Sequence, residues 1–137
     1  MGNRAYINLV DHNLSIYLHW NGGPESVAAF LLYAQQVGIR SNEYFPARLV
    51  QIIGNFIHGT LSLGIKHGLV DHCPDNSVYD VKTAQRWSVR HRHRYGTNHF
   101  DTVDQFVESV SSSNYWTAEN PIMDQIAEIN DPYFRSP

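Results

Sequence analysis

Two short segments near the start of the chain alternate between apolar and polar residues, which is the period of a β-strand. The apolar positions are Ala5, Ile7 and Leu9 in the first segment and Leu14, Ile16 and Leu18 in the second. The turn-forming residues Asp11, His12 and Asn13 separate the two segments. We therefore predict a β-hairpin in which residues 4–10 pair with residues 14–20.

Two longer segments carry apolar residues at helical spacing. The first begins at Pro24 and stops at Gly38, and the second begins at Pro46 and stops at Gly59. Proline suits the first turn of a helix, and glycine suits the position just past its end. The apolar positions are Val27, Phe30, Leu31, Ala34 and Val37 in the first segment and Leu49, Ile52, Ile53, Phe56 and Ile57 in the second. The pattern predicts two central helices, each with one apolar face.

The second half of the chain contains shorter elements. The predicted strands are residues 60–65, 78–81 and 86–95. The last two of these strands are expected to form a hairpin around residues 82–85. Thr102 and Gln105 have the spacing of a capping box and predict the start of a helix, while residues 120–121 can begin a last short helix.

This order of elements predicts an α+β fold. We expect an antiparallel β-sheet of about five strands that begins with the N-terminal hairpin. The two central helices pack on one face of the sheet, and short helices follow at the C-terminal end. No repeat or linker divides the chain, so residues 1–137 are predicted to form a single domain with an acidic C-terminal helical segment over residues 101–137.

Composition narrows the cellular setting. Of the 137 residues 42% are hydrophobic, which is enough for a core, but no apolar run reaches the roughly 18 residues that a membrane helix needs. The single cysteine, Cys73, cannot form a disulfide within the chain, which fits a reducing compartment. We therefore expect a cytoplasmic protein that has no membrane partner.

The net charge of −3 hides an uneven distribution. Five of the ten cationic residues lie between Lys82 and Arg94, and this segment contains no acid. From Asp101 onward the sequence contains one cationic residue, Arg135, and seven acidic residues. The acidic residues are Asp101, Asp104, Glu108, Glu119, Asp124, Glu128 and Asp131. A cationic segment is therefore followed directly by an acidic one.

The predicted strand "WSVRHRHR" is the main candidate for a binding surface. Alternation places Arg90, Arg92 and Arg94 on one face of the strand about 7 Å apart. Guanidinium groups in such a row match phosphates or the carboxylates of another protein. Two structural alternatives remain open: a solvated edge strand, and arginines covered by the acidic segment of the same chain. With Arg86, these arginines are the first group of predicted partner- or anion-binding residues.

The segment "YLHWNGGPES" supplies a second candidate. It lacks the lysine of a P-loop and the three glycines of a dinucleotide-binding fingerprint. We expect Gly22 and Gly23 to serve a tight strand-to-helix turn in which positive φ angles are needed. His19, Trp20 and Asn21 at the rim of this turn are the second group of predicted binding residues.

Signals for catalysis or metal binding are weak. His91 and His93 have the spacing of two metal ligands on a strand, but no recognised pattern supplies a third ligand. The chain has no G-x-S-x-G or H-E-x-x-H motif, and nothing marks Cys73 as an activated nucleophile. We predict no catalytic residue, no metal site and no cofactor, and leave open whether His91 and His93 bind a metal.

Four stretches of the chain resemble a widespread set of small proteins of phages, prophages and mobile elements. These stretches are "MGNRA", "YLHWNGGPESVAAFL", "ARLVQIIGNFIHGTLSLGI" and "DNSVY", and the resemblance covers residues 1 to about 81. The Asp-Asn-Gly typical of that set is Asp75-Asn76-Ser77 here. The resemblance implies a genetic setting and no catalytic residue.

In that setting we expect a non-enzymatic antagonist of a bacterial defence system, acting in the host cytoplasm. Its partner would be a host protein or ribonucleoprotein complex, as for anti-CRISPR proteins, or an anionic nucleotide signal that it sequesters. The alternative is a nucleic-acid-binding accessory protein that uses the arginine-lined strand. A small hydrolase or transferase is a third class, and the sequence leaves a homo-oligomer open.

Overall fold

The computed structural model of the chain describes residues 3–58, 62–72, 77–119 and 121–135. Within these ranges the chain forms six β-strands and five α-helices, so the predicted α+β class is confirmed. The strands are β1 (Ala5–Leu9), β2 (Leu14–Leu18), β3 (Leu63–His67), β4 (Ser77–Lys82), β5 (Ser88–His93) and β6 (Gly96–Phe100). The helices are α1 (Pro24–Gln36), α2 (Tyr44–Ile57), α3 (Val103–Val110), α4 (Asn114–Thr117) and α5 (Ile122–Phe134).

The strands form one mixed sheet in the order β3-β2-β1-β4-β5-β6. The N-terminal hairpin is confirmed, since β1 pairs antiparallel with β2 and Ile7 lies opposite Ile16. The prediction of a purely antiparallel sheet is wrong, because β1 and β4 are parallel, with Ile7 opposite Tyr79. The strands β3 and β4 follow one another in the chain but are separated in the sheet by β2 and β1, so they are joined by a crossover and not by a hairpin.

A sixth strand lies at the edge next to β5. The predicted fifth strand ends at His93 instead of residue 95, because Arg94 and Tyr95 form a two-residue turn into β6. The sequence "GTNHF" of β6 contains glycine, asparagine and histidine and has little strand propensity of its own. Its strand conformation depends on pairing with β5, which periodicity does not reveal.

The helix boundaries agree with the predicted ones to within a few residues. α1 begins at Pro24, as expected, and α2 begins two residues before Pro46. The α2 helix ends at Ile57 and is followed by His58, which has a φ of 65°, while the predicted stop at Gly59 lies outside the described residues. The capping box is confirmed at its N-cap, where Thr102 Oγ1 accepts a hydrogen bond from the backbone N–H of Gln105. None of the helices in the described part of the chain has the length and apolar character to cross a membrane.

One face of the sheet packs against the helices and forms the core. The side chains of residues that pair across neighbouring strands point to the same face of the sheet. The strand pairing therefore shows which residues of every strand face the helices. The buried apolar residues of this side are Ala5, Ile7, Leu9, Ile16, Leu18, Tyr79, Val81 and Val89. The opposite face carries polar side chains from the same strands, among them Asn8, Asp80, Arg90 and Arg92. We call this second side of the sheet the open face.

The glycine turn between β2 and α1 is tight for a reason other than the expected one. Neither Gly22 nor Gly23 has a positive φ, whereas Asn21 has a φ of 60°. A Cβ on Gly22 would lie 2.7 Å from the Cβ of Ala5 and still closer to the carbonyl oxygen of Asn3. The backbone N–H of Gly22 donates to that same oxygen at 2.9 Å. Gly22 is therefore required by close backbone packing and not by backbone conformation.

This geometry predicts different effects of alanine at the two glycines. Gly22→Ala should lower the free energy of unfolding by about 1–3 kcal/mol, because the new methyl group meets backbone that cannot move aside cheaply. Gly23→Ala is the matched control, since its Cβ would lie 3.1 Å from the flexible Asn3 side chain. It should cost under about 1 kcal/mol, as expected for alanine at an N-cap. Urea denaturation of both variants measures the difference, and equal losses would contradict the packing explanation.

Candidate functional site

A buried carboxylate on the open face binds two of the predicted arginines. Asp80 Oδ2 accepts hydrogen bonds from Arg90 Nε at 2.8 Å and from Arg92 Nε at 2.9 Å. Arg92 Nη2 also donates to Asp80 Oδ1 at 3.1 Å. The register explains the contact, because Asp80 on β4 lies directly opposite Arg90 on β5. The partner of these arginines is thus a neighbouring strand, and not the acidic segment 101–137 that the sequence left open.

Asn8 links this carboxylate to the chain segment that crosses the open face. Its Nδ2 donates to Asp80 Oδ1 at 2.8 Å and to the carbonyl oxygen of Val70 at 2.8 Å. Its Oδ1 accepts hydrogen bonds from the backbone N–H of Val70 and from Ser15 Oγ. We call Asn8, Ser15, Asp80, Arg90 and Arg92 the Asp80 cluster, and residues 68–72 the covering segment. Every buried side-chain polar atom of the described residues has a hydrogen-bond partner.

Arg90 and Arg92 differ in their surroundings. Arg92 is 25% exposed and also donates to the carbonyl oxygens of Asp71 and Val70, at 2.7 and 3.1 Å. Most of its N–H groups are therefore used within the fold. Arg90 is 49% exposed, and among the described residues its guanidinium is bonded to Asp80 alone. Arg92 holds the covering segment, whereas Arg90 keeps part of its guanidinium available to a partner.

The charge of Asp80 is stabilised by the groups around it. Burial alone would raise the pKa of its carboxyl, but hydrogen bonds from Arg92, Asn8 and Arg90 outweigh burial and hold the pKa below its ordinary value. One carboxylate is thus shared by two guanidinium groups. The pair of arginines retains an excess of one positive charge on the open face.

Two adjoining grooves lie beside the Asp80 cluster. The larger has a volume of about 450 Å³ and the smaller about 420 Å³, and both are lined by Lys82, Ser88 and Asp101. Arg90 and Arg92 line the larger one, and Arg86 lines the smaller one. We call the two together the cationic groove. Lys82 and Arg86 are exposed, and the side chain of neither has a hydrogen bond or ion pair with the described residues.

Arg94 is separated from the other predicted cations. It lies in the turn between β5 and β6, at the opposite end of β5 from Arg86. It is exposed and has no ion pair with the described part of the chain. The prediction that Arg90, Arg92 and Arg94 form one row on a strand is therefore wrong at Arg94, because the chain turns there.

The second predicted group, His19, Trp20 and Asn21, lies at the end of the sheet opposite to Lys82 and Ser88. Trp20 and Asn21 line a pocket of about 360 Å³, which we call the glycine-turn pocket. The remaining lining residues are Asn3, Gly23, Glu25, Ser26 and Tyr115. His19 is outside this lining set; its Nδ1 is hydrogen-bonded to the Tyr17 hydroxyl at 2.9 Å, and its ring meets Trp20 edge-on. The structure thus brings Trp20 and Asn21 together with Tyr115, which no sequence pattern indicated.

The histidine pair on β5 is engaged in internal contacts. His91 Nε2 is hydrogen-bonded to Ser77 Oγ at 2.8 Å, and its ring stacks on Tyr79 with centroids 4.4 Å apart. Burial, together with the neighbouring charge of His93, lowers the pKa of His91 to about 4. Among the described residues, no group of three or more His, Cys, Asp or Glu side chains is placed to hold a metal ion.

Comparisons with protein-family models, with curated proteins and with solved structures gave no match. No relative therefore supplies the role of any residue. The functional surface therefore has to be inferred from the contacts and charges of the chain itself.

The Asp80 cluster makes stability depend on pH in the acid range. The folded pKa of Asp80 lies below its unfolded value, so its contribution is fully present at neutral pH and is lost as the pH falls from about 4 through the folded pKa. Asp80→Asn should lower the free energy of unfolding on the order of 2 kcal/mol at about pH 7, because Arg92 loses its buried partner. The difference from the natural protein should shrink towards about pH 3.

Urea denaturation at several pH values measures this difference. Asp104→Asn is the matched control, since Asp104 is exposed on α3 and carries the same charge. A difference that stays constant from neutral to acid pH would contradict a stabilising role for the charge of Asp80.

Proposed function

We propose that this chain is a non-enzymatic binding protein of a phage or mobile element that antagonises a bacterial defence system in the host cytoplasm. The observation that carries the proposal is the cationic groove, where the side chains of Lys82 and Arg86 have no ion pair with the described residues and Arg90 is half exposed. The genetic setting comes from the resemblance of residues 1 to about 81. The groove supplies the contact surface.

The charges around the groove favour a protein partner over a bare phosphate backbone. Asp71 and Asp101 line the groove beside the cations, and neither has an ion pair with the described residues. Carboxylates beside cations match a surface of mixed charge, while they repel a continuous row of phosphates. The volume of about 450 Å³ also lies in the range of small-molecule sites. A nucleotide signal is therefore the second kind of target within this proposal.

A nucleic-acid-binding accessory protein is the alternative function. The observation that favours it is a pair of half-buried tyrosine rings on the open face, Tyr6 and Tyr17, with centroids 5.3 Å apart. Tyr6 lies on the same face as Arg92, because both residues are opposite Val78. Aromatic rings beside arginines can stack the bases of a single strand.

A plating assay tests the antagonist function directly. Host strains that each carry one defence system are challenged with phage, with and without expression of the protein. The natural protein should raise the efficiency of plating in at least one strain. Lys82→Glu with Arg86→Glu should abolish that effect, since charge reversal places repulsive groups in the groove. Both side chains are exposed and have no ion pair with the residues that the structure describes, so stability should change by about 0.5 kcal/mol or less for each.

The double variant Arg40→Glu with Arg48→Glu is the matched control, because it makes the same change of charge at exposed positions outside the groove. It should keep the full effect on plating. Absence of any rescue by the natural protein would contradict antagonism, and equal activity of both double variants would exclude the groove. If single-stranded nucleic acid binds with an affinity that falls steeply between about 50 and 200 mM salt, the alternative function is favoured.

A further inference from the structure

The glycine-turn pocket has the chemistry of a site for a cation. We infer that it binds the guanidinium group of an arginine side chain on a partner protein. This inference goes beyond the proposed function, because the pocket adjoins the start of β1, whereas Lys82 lies at the opposite end of the sheet and Arg86 just beyond it.

The pocket combines two exposed aromatic side chains with a carboxylate. Trp20 is 45% exposed and Tyr115 is 44% exposed, so each side chain presents accessible aromatic surface at the pocket. No ring contact joins the two within the described structure, so their rings do not fill the space between them. The carboxylate of Glu25 has no hydrogen bond or ion pair with the described residues. A cation over an aromatic ring and beside a free carboxylate gains from both contacts.

The hydrogen bonds of Asn21 hold the pocket in shape. Its Nδ2 donates to Ser26 Oγ at 3.3 Å and to the Tyr115 hydroxyl at 3.2 Å. These two bonds use both amide hydrogens and leave Oδ1 as an acceptor. The left-handed backbone of Asn21, with its φ of 60°, places the side chain between the turn and α4. Asn21 thus joins parts of the chain that are 94 residues apart in sequence.

The groups around the pocket are acceptors for a donor-rich ligand. Asn21 Oδ1 and the Glu25 carboxylate accept hydrogen bonds and donate none. The N-terminal end of α1 is nearby and carries a partial positive charge of about half an elementary charge, which the full charge of Glu25 exceeds. A planar guanidinium suits this setting better than an ammonium, because it stacks on aromatic rings while it donates in its plane.

Titration with small probes tests the inference. The probe is N-acetyl-arginine amide, and N-acetyl-citrulline amide has nearly the same shape without the charge. The backbone amide signals of Asn21 and Ser26 report binding in heteronuclear NMR spectra. We expect a saturable shift with a dissociation constant on the order of 1 mM for the arginine probe. The citrulline probe should bind at least about tenfold more weakly.

Variants assign the binding to named groups. Glu25→Gln and, separately, Trp20→Leu should each weaken the arginine probe at least about tenfold. The matched control Glu108→Gln, an exposed acid on α3, should leave the affinity unchanged. The groove variant Lys82→Glu with Arg86→Glu should also bind as the natural protein does, which separates this inference from the proposed function. Thermal melts confirm that each variant is folded, and the Trp20 variant keeps the test valid if Glu25→Gln unfolds.

Three results would overturn the inference. The first is equal binding of the arginine and citrulline probes, which would show that charge plays no part. The second is undiminished binding by a folded Glu25→Gln or Trp20→Leu variant. The third is tighter binding of N-acetyl-lysine amide than of the arginine probe, which would exclude selection of a guanidinium.

Discussion

The open face of the sheet is organised by one carboxylate, that of Asp80. It lies in a strand whose neighbours on both sides carry groups that reach it, Asn8 from β1 and two arginines from β5. A buried carboxylate without such partners would be strongly unfavourable. Here the same contacts that stabilise the charge also fasten the covering segment, since Asn8 and Arg92 both bind Val70. Loss of this charge would therefore affect a whole side of the molecule.

This arrangement divides the arginines of one strand into two roles. Arg92 donates to the carboxylate and to two backbone carbonyl groups, so its removal would leave several polar groups without partners. Within the described part of the chain, the Arg90 guanidinium is bonded to the carboxylate alone, and Arg92 still binds that carboxylate if Arg90 is changed. The two arginines look equivalent in the sequence, but Arg92 stabilises the fold whereas part of the Arg90 guanidinium is accessible. The groove beside it is also lined by Lys82 and Arg86, whose side chains have no ion pair with the described residues.

Local patterns predicted much of the fold, and contacts between distant residues account for the rest. The hairpin and the two central helices follow from periodicity and from punctuation by proline and glycine, which act within a few residues. The parallel pairing of β1 with β4 could not be read from the sequence, because the connection from β3 sets it. The sixth strand was missed for a related reason, since its formation depends on its partner strand.

The candidate site shows the same limit. Alternation correctly placed Arg90 and Arg92 on one face, but the register that brings Asp80 opposite Arg90 is a property of two strands. A charged residue within the apolar strand "VYDV" was the one local sign of that partner. Tyr115 had no local sign at all, because it reaches Trp20 and Asn21 only through the folded chain. The sequence correctly predicted a tight turn at Gly22, but the predicted reason was wrong. Glycine is required there because a side chain would have no space, and not because φ is positive.

Hydrogen exchange at the backbone amide of Val70 tests the central claim most directly, because this amide donates to Asn8 within the Asp80 cluster. Exchange is compared with that of the buried α1 amides, which separates local opening from global unfolding. The account predicts strong protection of Val70 in the natural protein, a loss of protection of about tenfold or more in Arg92→Ala, and little change in Arg90→Ala. Equal protection in both variants would contradict the claim that Arg92 and the Asp80 carboxylate fasten the covering segment.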